Sequence, residues 1–127
     1  MPALPRVAIS LGDPSGIGPE VTAKALDALR GAVEPVVFGD QLVLGRDLGR
    51  LGLPVVALGE PVPPGGALVA VTRLPASAVR PGKPVPLGGA AQLAYLEAAF
   101  ACVERGGAHA LVTAPVSKAQ VAGVLPG

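Results

Sequence analysis

The stretch Arg6–Glu20, "RVAISLGDPSGIGPE", contains in order an apolar run, a loop rich in glycine and proline, and the start of a helix. The run over residues 6–11 predicts a strand, because it is short and apolar and ends at a glycine. Pro19 suits the first turn of a helix, and Glu20 suits the positive end of the helix dipole. A strand that leads through a tight loop into a helix is typical of α/β proteins.

The same alternation continues along the chain. Apolar runs predict four further strands, over residues 35–39, 53–58, 67–72 and 109–114. Helical spacing predicts helices from Pro19 to about Gly31, over 41–51 and over about 88–105, and Pro115 suits the start of a final helix. The four prolines within residues 73–86 predict a loop or a crossover. The pattern predicts an α/β fold with a mainly parallel sheet and right-handed crossovers.

Helix faces and caps are also visible in the sequence. Apolar residues recur on one side of two predicted helices, as Val21, Ala25 and Leu29 in the first and Leu93, Leu96, Phe100 and Val103 in the longest. Such spacing is typical of amphipathic helices. Asp40 stands directly before the helix over 41–51, where its carboxylate can cap the first turn.

The composition limits the classes of protein and of partner. A chain of 127 residues can bury one core of ordinary size, and with 50% apolar but only 2% aromatic residues that core must consist of Val, Leu and Ala. The net charge of +1 without a Lys/Arg cluster argues against nucleic acid as a partner. We expect no membrane partner and a cytoplasmic location, because no signal-peptide or membrane-spanning run is present and the single Cys102 cannot form an internal disulfide.

The opening loop matches neither common phosphate-binding motif. A dinucleotide fingerprint that began at Gly16 needs a third glycine where Val21 stands, and a P-loop that began at Gly12 needs glycine and lysine where Ile17 and Gly18 stand. Glu20 would also repel an anion at the helix start, where proline has already removed one N–H donor.

Two interpretations of this loop therefore stay open. Gly12, Gly16 and Gly18 follow the carboxyl end of a strand, which is where open α/β sheets bind ligands. The loop can equally be a tight turn in which Asp13 and Ser15 accept hydrogen bonds from the turn's own N–H groups.

A second motif, Thr113-Ala-Pro-Val-Ser-Lys118, has the same layout of strand, proline and helix start. A lysine in the first turn opposes the helix dipole, so Lys118 either faces an anionic ligand or is a solvated surface lysine. If both strands are parallel, this loop and the opening loop lie at the same end of the sheet. His109 is the only histidine, so the chain cannot complete a histidine-based metal site, and we assign no metal ligand. Lys83 is interpreted as a solvated loop residue.

Three segments together resemble one enzyme family. "GDPSGIGPE" (12–20), "RPGKPVPLGGAA" (80–91) and "TAPVSKAQVAGVLPG" (113–127) are similar to the 4-hydroxythreonine-4-phosphate dehydrogenases of pyridoxal phosphate synthesis, and Lys118 matches a lysine of the family's Thr-Ala/Gly-Pro-x-x-Lys segment. The resemblance implies a three-layer α/β/α fold like that of isocitrate and isopropylmalate dehydrogenases, here incomplete. Residues 1–127 then form the N-terminal part of a larger two-domain dehydrogenase.

The resemblance also implies a reaction. Members of the family are metal-dependent homodimeric oxidoreductases that use NAD(P) to oxidise and decarboxylate 4-phosphooxy-threonine, a small phosphorylated substrate. By this likeness Gly12, Gly16 and Gly18 shape a loop that substrate or cofactor can approach, and Asp13 and Ser15 offer polar contacts. Thr113 and Lys118 line the same site, where Lys118 is the candidate catalytic residue that favours an anionic group or a developing enolate.

The matched segments omit several features of the family. The family's His-Thr-Glu segment and its three metal-binding histidines come later than the part matched here, so the ligands of the divalent metal are absent from this chain. We therefore expect the 127-residue chain alone to be inactive, and to associate or be partly disordered without the missing strands. Two alternatives remain: a dehydrogenase of the same family for a four-carbon sugar-acid phosphate, or a non-catalytic ligand-binding or dimerisation fragment.

Overall fold

The computed structural model describes residues 4–115, except the side chain of Arg46, and residue 122. The described part contains five strands, β1 Arg6–Ser10, β2 Glu34–Asp40, β3 Val55–Ala57, β4 Ala67–Thr72 and β5 Ala110–Thr113. Its α-helices are α1 Gly18–Ala28, α2 Gln41–Leu51 and α3 Pro86–Glu104. The elements predicted up to residue 114 are confirmed, although β3 has three residues instead of six. The predicted helix after Pro115 lies outside the described residues.

All five strands are parallel and form one sheet in the order β3-β4-β2-β1-β5. The inner strand β1 pairs with the central strand β2 from Arg6↔Glu34 to Ser10↔Phe38, and β5 pairs with the other side of β1. This confirms the α/β class and the parallel sheet. Because the strands are parallel, their last residues share one end of the sheet, called the carboxyl end below, and their first residues share the amino end.

The helices lie in two layers. The chain passes from β1 to β2 through α1, and it returns across the sheet from β4 to β5 through α3. Right-handed crossovers in opposite directions place these two helices on opposite faces of the sheet. Accordingly α3 contacts β1, β2, β4 and β5, whereas α1 packs beside α2, which contacts β2. Each strand-to-helix connection therefore emerges at the carboxyl end.

The core consists mainly of aliphatic side chains, as the composition predicts. The fully buried residues include Ala8, Val36, Val37 and Leu68 on the central strands. Phe38 and Tyr95 are also buried, whereas Phe100 is 54% exposed. Within the described residues, no helix combines the length and the apolar character needed to cross a membrane.

Periodicity located the helices but not their buried faces. Val21 and Leu29 of α1 are 44% and 41% exposed, and the buried face instead contains Thr22, Ala23 and Leu26. In α3 the side toward the core contains mostly small residues together with one large ring, namely Gly88, Gly89, Ala91, Gln92, Tyr95, Ala99 and Cys102. Small side chains let a helix approach a sheet closely, and a pattern that scores only apolarity gives them too little weight.

Residues 73–85 connect β4 to α3, so the loop is one residue shorter than the predicted 73–86 because Pro86 begins α3. The connection contains one short 3-10 turn, Ala76–Ala78. Ala78 is buried, and the residues on both sides of it are mostly exposed. This segment, residues 73–85, is called the crossover segment below. It leaves the sheet at the carboxyl end and borders the loop that follows β1.

Candidate functional site

The loop after β1 contains an Asx turn. One carboxylate oxygen of Asp13, Oδ1, accepts hydrogen bonds from both the backbone N–H and the hydroxyl of Ser15, each at 2.9 Å. The backbone N–H of Gly16 donates to the carbonyl of Asp13 at 3.1 Å. Ser15 is only 3% exposed. Asp13 and Ser15 thus form the local turn contacts that one of the two interpretations of this loop requires.

The same loop is joined to the end of β5. The backbone N–H of Asp13 donates to the carbonyl of Pro115 at 3.2 Å, and that of Ala114 donates to the carbonyl of Ser10 at 2.9 Å. Gly12 has a φ of +79°, and a Cβ atom at this position would clash with the carbonyl oxygen of Pro115. The loop after β1 and the start of the second motif therefore meet at the carboxyl end, as parallel strands require.

The close contacts of the loop glycines are with the chain itself. A Cβ at Gly18 would lie 2.6 Å from the carbonyl oxygen of Leu11, and a Cβ at Gly16 would lie 3.2 Å from atoms of Asp13. The space beside Gly18 is therefore filled by the chain itself, whereas Gly16 is exposed and lines the groove described below. Thr113, the last residue of β5, is exposed beside this contact. Lys118 lies outside the described residues.

The crossover segment forms a second wall of the site. The N–H of Gly82 donates to the carbonyl of Ser15 at 2.8 Å, which ties this segment to the opening loop. Between them and the first turn of α2 lies a groove of about 400 Å³. Most of the residues that line it are apolar: Pro14, Ile17, Pro19, Leu42, Val43, Val79 and Pro81. The carboxyl end thus offers a concave apolar surface beside the motif loops, and such surfaces are where small molecules bind.

A buried polar network holds this end of the sheet together. The carboxylate of Asp40 accepts hydrogen bonds from the N–H of Leu42 at 2.8 Å, the hydroxyl of Thr72 at 2.8 Å and the N–H of Leu74 at 2.7 Å. The Thr72 hydroxyl also lies 2.7 Å from the hydroxyl of Tyr95. Burial is the main reason why the pKa of Tyr95 lies well above its ordinary value. Asp40 is the helix cap that the sequence predicts, and it additionally links α2 to the end of β4.

Sequence analysis missed Thr72 and Tyr95. Thr72 is the last residue of β4, and Tyr95 is the tenth residue of α3, so no local motif connects either of them to Asp40. The one available signal was that Tyr95 is the only tyrosine in the chain, because a buried tyrosine hydroxyl usually has a hydrogen-bond partner.

At the amino end of the sheet, Arg6 forms hydrogen bonds that fix the start of β1. The Nε of Arg6 donates to Glu34 at 3.2 Å, and its Nη2 donates to the carbonyls of Val62 and Pro63. The N–H of Gly65 and the guanidinium of Arg6 hold the pKa of Glu34 below its ordinary value. His109 is exposed there, and its Nδ1 accepts a hydrogen bond from the N–H of Arg6 at 3.0 Å. The only histidine is therefore at the end of the sheet opposite the candidate site.

Another charged group at the amino end joins α1 to α2. Asp27 of α1 forms ion pairs with Arg30 and Arg50, and Arg50 also pairs with Asp47 at 2.9 Å. The hydrogen bond from Arg50 is the main reason why the pKa of Asp27 lies below its ordinary value. Among the described residues, no three His, Cys, Asp or Glu side chains lie close enough to hold a metal ion. The described part of the chain therefore does not fit a metal centre.

Comparison with known proteins shows which family the chain is similar to. Residues 31–124 match the family model described as "Pyridoxal phosphate biosynthetic protein PdxA". The 4-hydroxythreonine-4-phosphate dehydrogenase of Synechococcus sp. (strain RCC307) is 38% identical over 113 residues, which cover 89% of this chain and 33% of that protein. The D-threonate 4-phosphate dehydrogenase of Bordetella bronchiseptica is 33% identical over 130 residues, which cover 91% of this chain and 36% of that protein. The chain thus spans about a third of the length of these relatives.

Solved structures agree with the fold. The terephthalate 1,2-cis-dihydrodiol dehydrogenase of Burkholderia xenovorans LB400 superposes with a TM-score of 0.74 at 32% identity, over 98% of this chain and 38% of that one. The 4-hydroxythreonine-4-phosphate dehydrogenase of Burkholderia phymatum superposes with a TM-score of 0.77, over 96% of this chain and 39% of that one. At 24% identity the second match shows the fold alone. The superposed range includes the opening loop, which lies before the range that the family model matches.

Proposed function

The chain belongs to the family of the pyridoxal phosphate biosynthetic protein PdxA, and we propose that it forms the first part of an NAD(P)-dependent dehydrogenase for 4-hydroxythreonine 4-phosphate. In this reaction a hydride passes from the carbon that carries the substrate hydroxyl to the nicotinamide, and the resulting β-keto acid loses CO2. The observation that carries the proposal is the family match over residues 31–124, within a chain whose opening loop meets the start of the second motif at the carboxyl end of the sheet.

In this proposal the opening loop is a rigid rim of the active-site cleft. The hydrogen bonds from Ser15 to Asp13 and from the Asp13 N–H to Pro115 hold its shape. The loop can pack this closely because three of its residues are glycines, namely Gly12, Gly16 and Gly18. The exposed Thr113 lines the adjoining surface. Lys118 follows within the same motif, and we assign it the role of favouring an anionic substrate group or a developing enolate. Because the rim is already ordered before binding, less conformational entropy is lost when a ligand binds.

The rest of the site comes from outside the described residues. NAD(P) supplies the hydride acceptor. A divalent metal would act as a Lewis acid on the new carbonyl, and its ligands must come from residues other than those described here. We further propose a two-domain enzyme that works as a homodimer in the cytoplasm, with this chain as the N-terminal part of one domain.

Two other functions have support of their own. The Bordetella bronchiseptica relative is a D-threonate 4-phosphate dehydrogenase, and at 33% identity it matches nearly as well as the first. A four-carbon sugar-acid phosphate is therefore the second candidate substrate. A non-catalytic ligand-binding or dimerisation module is the third candidate, because the described residues already form a concave apolar groove at the carboxyl end.

A chimera tests these candidates against each other. The matching third of the Synechococcus relative is replaced by this chain, and NADH or NADPH formation is measured with 4-hydroxythreonine 4-phosphate and with D-threonate 4-phosphate. Turnover of the first substrate supports the leading proposal, and selective turnover of the second supports the alternative. A chimera that melts cooperatively and has the parent's oligomeric state but turns over neither substrate contradicts both enzymatic functions.

The same chimera tests the role of Lys118. We expect Lys118→Ala to lower kcat by about 10²-fold or more, since positioned groups that stabilise charge in the transition state contribute on that scale. Lys24→Ala is the matched control, because Lys24 is exposed and pairs only with Glu20, four residues earlier, among the described side chains. Unchanged kcat and KM in Lys118→Ala would remove the assignment.

A further inference from the structure

Two neighbouring strands lead to opposite faces of the sheet. β2 pairs with β4, and β2 runs directly into α2, which lies in the layer of α1. β4 leads instead through the crossover segment to α3, in the layer on the other face. The described connections therefore diverge between the carboxyl ends of β2 and β4. In open α/β sheets such a divergence, called a topological switch point, is where ligands bind.

The pairing of β2 with β4 is irregular at this switch point. The register shifts by one residue between Gly39 and Asp40, because β4 has the extra residue Val71. A β-bulge of this kind redirects nearby side chains, and bulges are frequent beside functional sites. Thr72 and Arg73, which follow the extra residue, both line the surface just beyond it.

A groove of about 610 Å³ lies at the switch point, and we call it the switch-point groove. The first turns of α2, the edge strand β3, the end of β4 and the start of the crossover segment line it. Its apolar lining consists of Leu42, Val55, Val56, Ala57, Ala70 and Leu74. In the described part of the chain it shares only Leu42 with the groove beside the opening loop, so the two grooves are distinct.

The charges in the described lining limit the kind of ligand. Arg73 is the one cation there; it is exposed and forms no ion pair with a described acidic side chain. The carboxylate of Asp40 also lines the groove but is 2% exposed, and its described donors are two backbone N–H groups and one hydroxyl. Because no cation neutralises Asp40, a second negative charge on a ligand would be repelled. The groove therefore favours a ligand with a single negative charge.

We propose that the switch-point groove binds a monocarboxylic acid, with its carboxylate on Arg73 and a short hydrocarbon part against the aliphatic residues of β3 and β4. The planar guanidinium matches the two oxygens of a carboxylate. Leu42 is 50% exposed and Val55 is 37% exposed, so the hydrocarbon part would remove apolar surface from water. The inference goes beyond the proposed dehydrogenase function and does not depend on it, since this ligand carries no phosphate.

The test is isothermal titration of the 127-residue chain with 4-methylpentanoate and with its uncharged amide, 4-methylpentanamide. We expect the acid to bind about tenfold more tightly than the amide, and Arg73→Gln to raise the Kd of the acid about tenfold, as for the loss of a charge-assisted hydrogen bond. Arg80→Gln is the matched control, because Arg80 is exposed in the same segment but does not line the groove. It should leave the Kd unchanged.

A pair of glycines in α2 tests the apolar part of the groove. A Cβ at Gly45 or at Gly49 would meet no atom within 4 Å, but only Gly45 lines the groove. Leucine favours a helix more than glycine does, so both leucine variants should fold at least as well as the parent. We expect Gly45→Leu to occupy part of the groove and to raise the Kd of 4-methylpentanoate about tenfold or more. Gly49→Leu should leave it unchanged.

Several results would overturn the proposal. They are equal affinity for the acid and the amide, no binding of the acid at millimolar concentration, and an unchanged Kd in Arg73→Gln or in Gly45→Leu. Tighter binding of 4-hydroxythreonine 4-phosphate than of 4-methylpentanoate would also overturn it, since the groove would then accept a multiply charged ligand. Failure of the dehydrogenase function appears separately, as an inactive but folded chimera.

Discussion

Arg6 and Arg80 stand at opposite ends of the same sheet and have opposite surroundings. Arg6, at the amino end, donates to the Glu34 carboxylate and to two backbone carbonyls. Arg80, at the carboxyl end, has no ion pair among the described residues, and the loops around it border an apolar groove. Arg6 is thus bound within the chain, whereas Arg80 is exposed and has no acidic partner among the described side chains.

The backbone shows how the carboxyl end can be both open and rigid. Its loops are tied to each other by bonds between main-chain atoms, such as Asp13 N–H to Pro115 and Gly82 N–H to Ser15. Buried Asp40 adds bonds to the starts of two adjoining segments. The carboxyl end is therefore held by backbone hydrogen bonds together with the carboxylates of Asp13 and Asp40 and their hydroxyl partners.

The largest expected effect is that of Asp40→Ala. The substitution leaves the N–H groups of Leu42 and Leu74 and the Thr72 hydroxyl without their acceptor, and we expect it to lower the free energy of unfolding by about 4 kcal/mol. Urea denaturation followed by circular dichroism measures the change. Asp27→Ala at the amino end is the control, and it should cost much less, because Asp27 is 40% exposed. Equal losses would show that the buried contacts of Asp40 contribute no more to stability than the exposed ion pairs of Asp27.

A glycine pair sharpens the comparison further. Gly12 and Gly31 have nearly the same φ, +79° and +77°, but a Cβ at Gly12 meets the Pro115 carbonyl, and a Cβ at Gly31 meets nothing within 4 Å. We expect Gly31→Ala to destabilise the chain by about 1 kcal/mol through its φ alone, and Gly12→Ala by about 3 kcal/mol, because the β5 backbone must also move. Thermal or urea unfolding compares the two. Similar losses for both variants would show that the loop contact contributes little to stability.

The smallest expected effect is a change in acid sensitivity at the amino end. Because the pKa of Glu34 is lower in the folded chain, the ionised carboxylate stabilises the fold above its ordinary titration range. That stabilisation is lost as the pH falls through the folded-state value. We therefore expect Glu34→Gln to be less stable than the parent at pH 7 and closer to it near pH 3, measured as Tm. A constant difference in Tm over that range would contradict the pairing with Arg6 and Gly65.

Sequence alone predicted what depends on local patterns. The alternation of elements gave the parallel sheet, and the parallel sheet implied that the loops after β1 and β5 would meet, as Asp13 and Pro115 do. Asp40 was recognisable as a cap because it directly precedes α2. The buried side of α1 was not recognisable, since Thr22 and Ala23 are chosen there for size more than for apolarity.

Local sequence patterns could not predict the contacts between segments that are distant in the chain. Nothing near Ser15 indicates that Gly82 will donate to its carbonyl, and nothing near Asp40 indicates Thr72 and Tyr95. These contacts depend on how the crossover segment folds back over the carboxyl end. Lys83 is an exposed loop residue, as the sequence predicts, but the turn that joins it to Arg80 was not predicted.

The most direct test of the difference between the two ends is a two-dimensional amide NMR titration of the chain with ADP, which is part of the proposed cofactor NAD(P). The account predicts that the resonances of Gly12, Ser15 and Gly82 shift with a common Kd, while those of Glu34 and His109 at the amino end stay in place. Shifts centred on the amino end, or no shift at any of these amides at millimolar ADP, would contradict it.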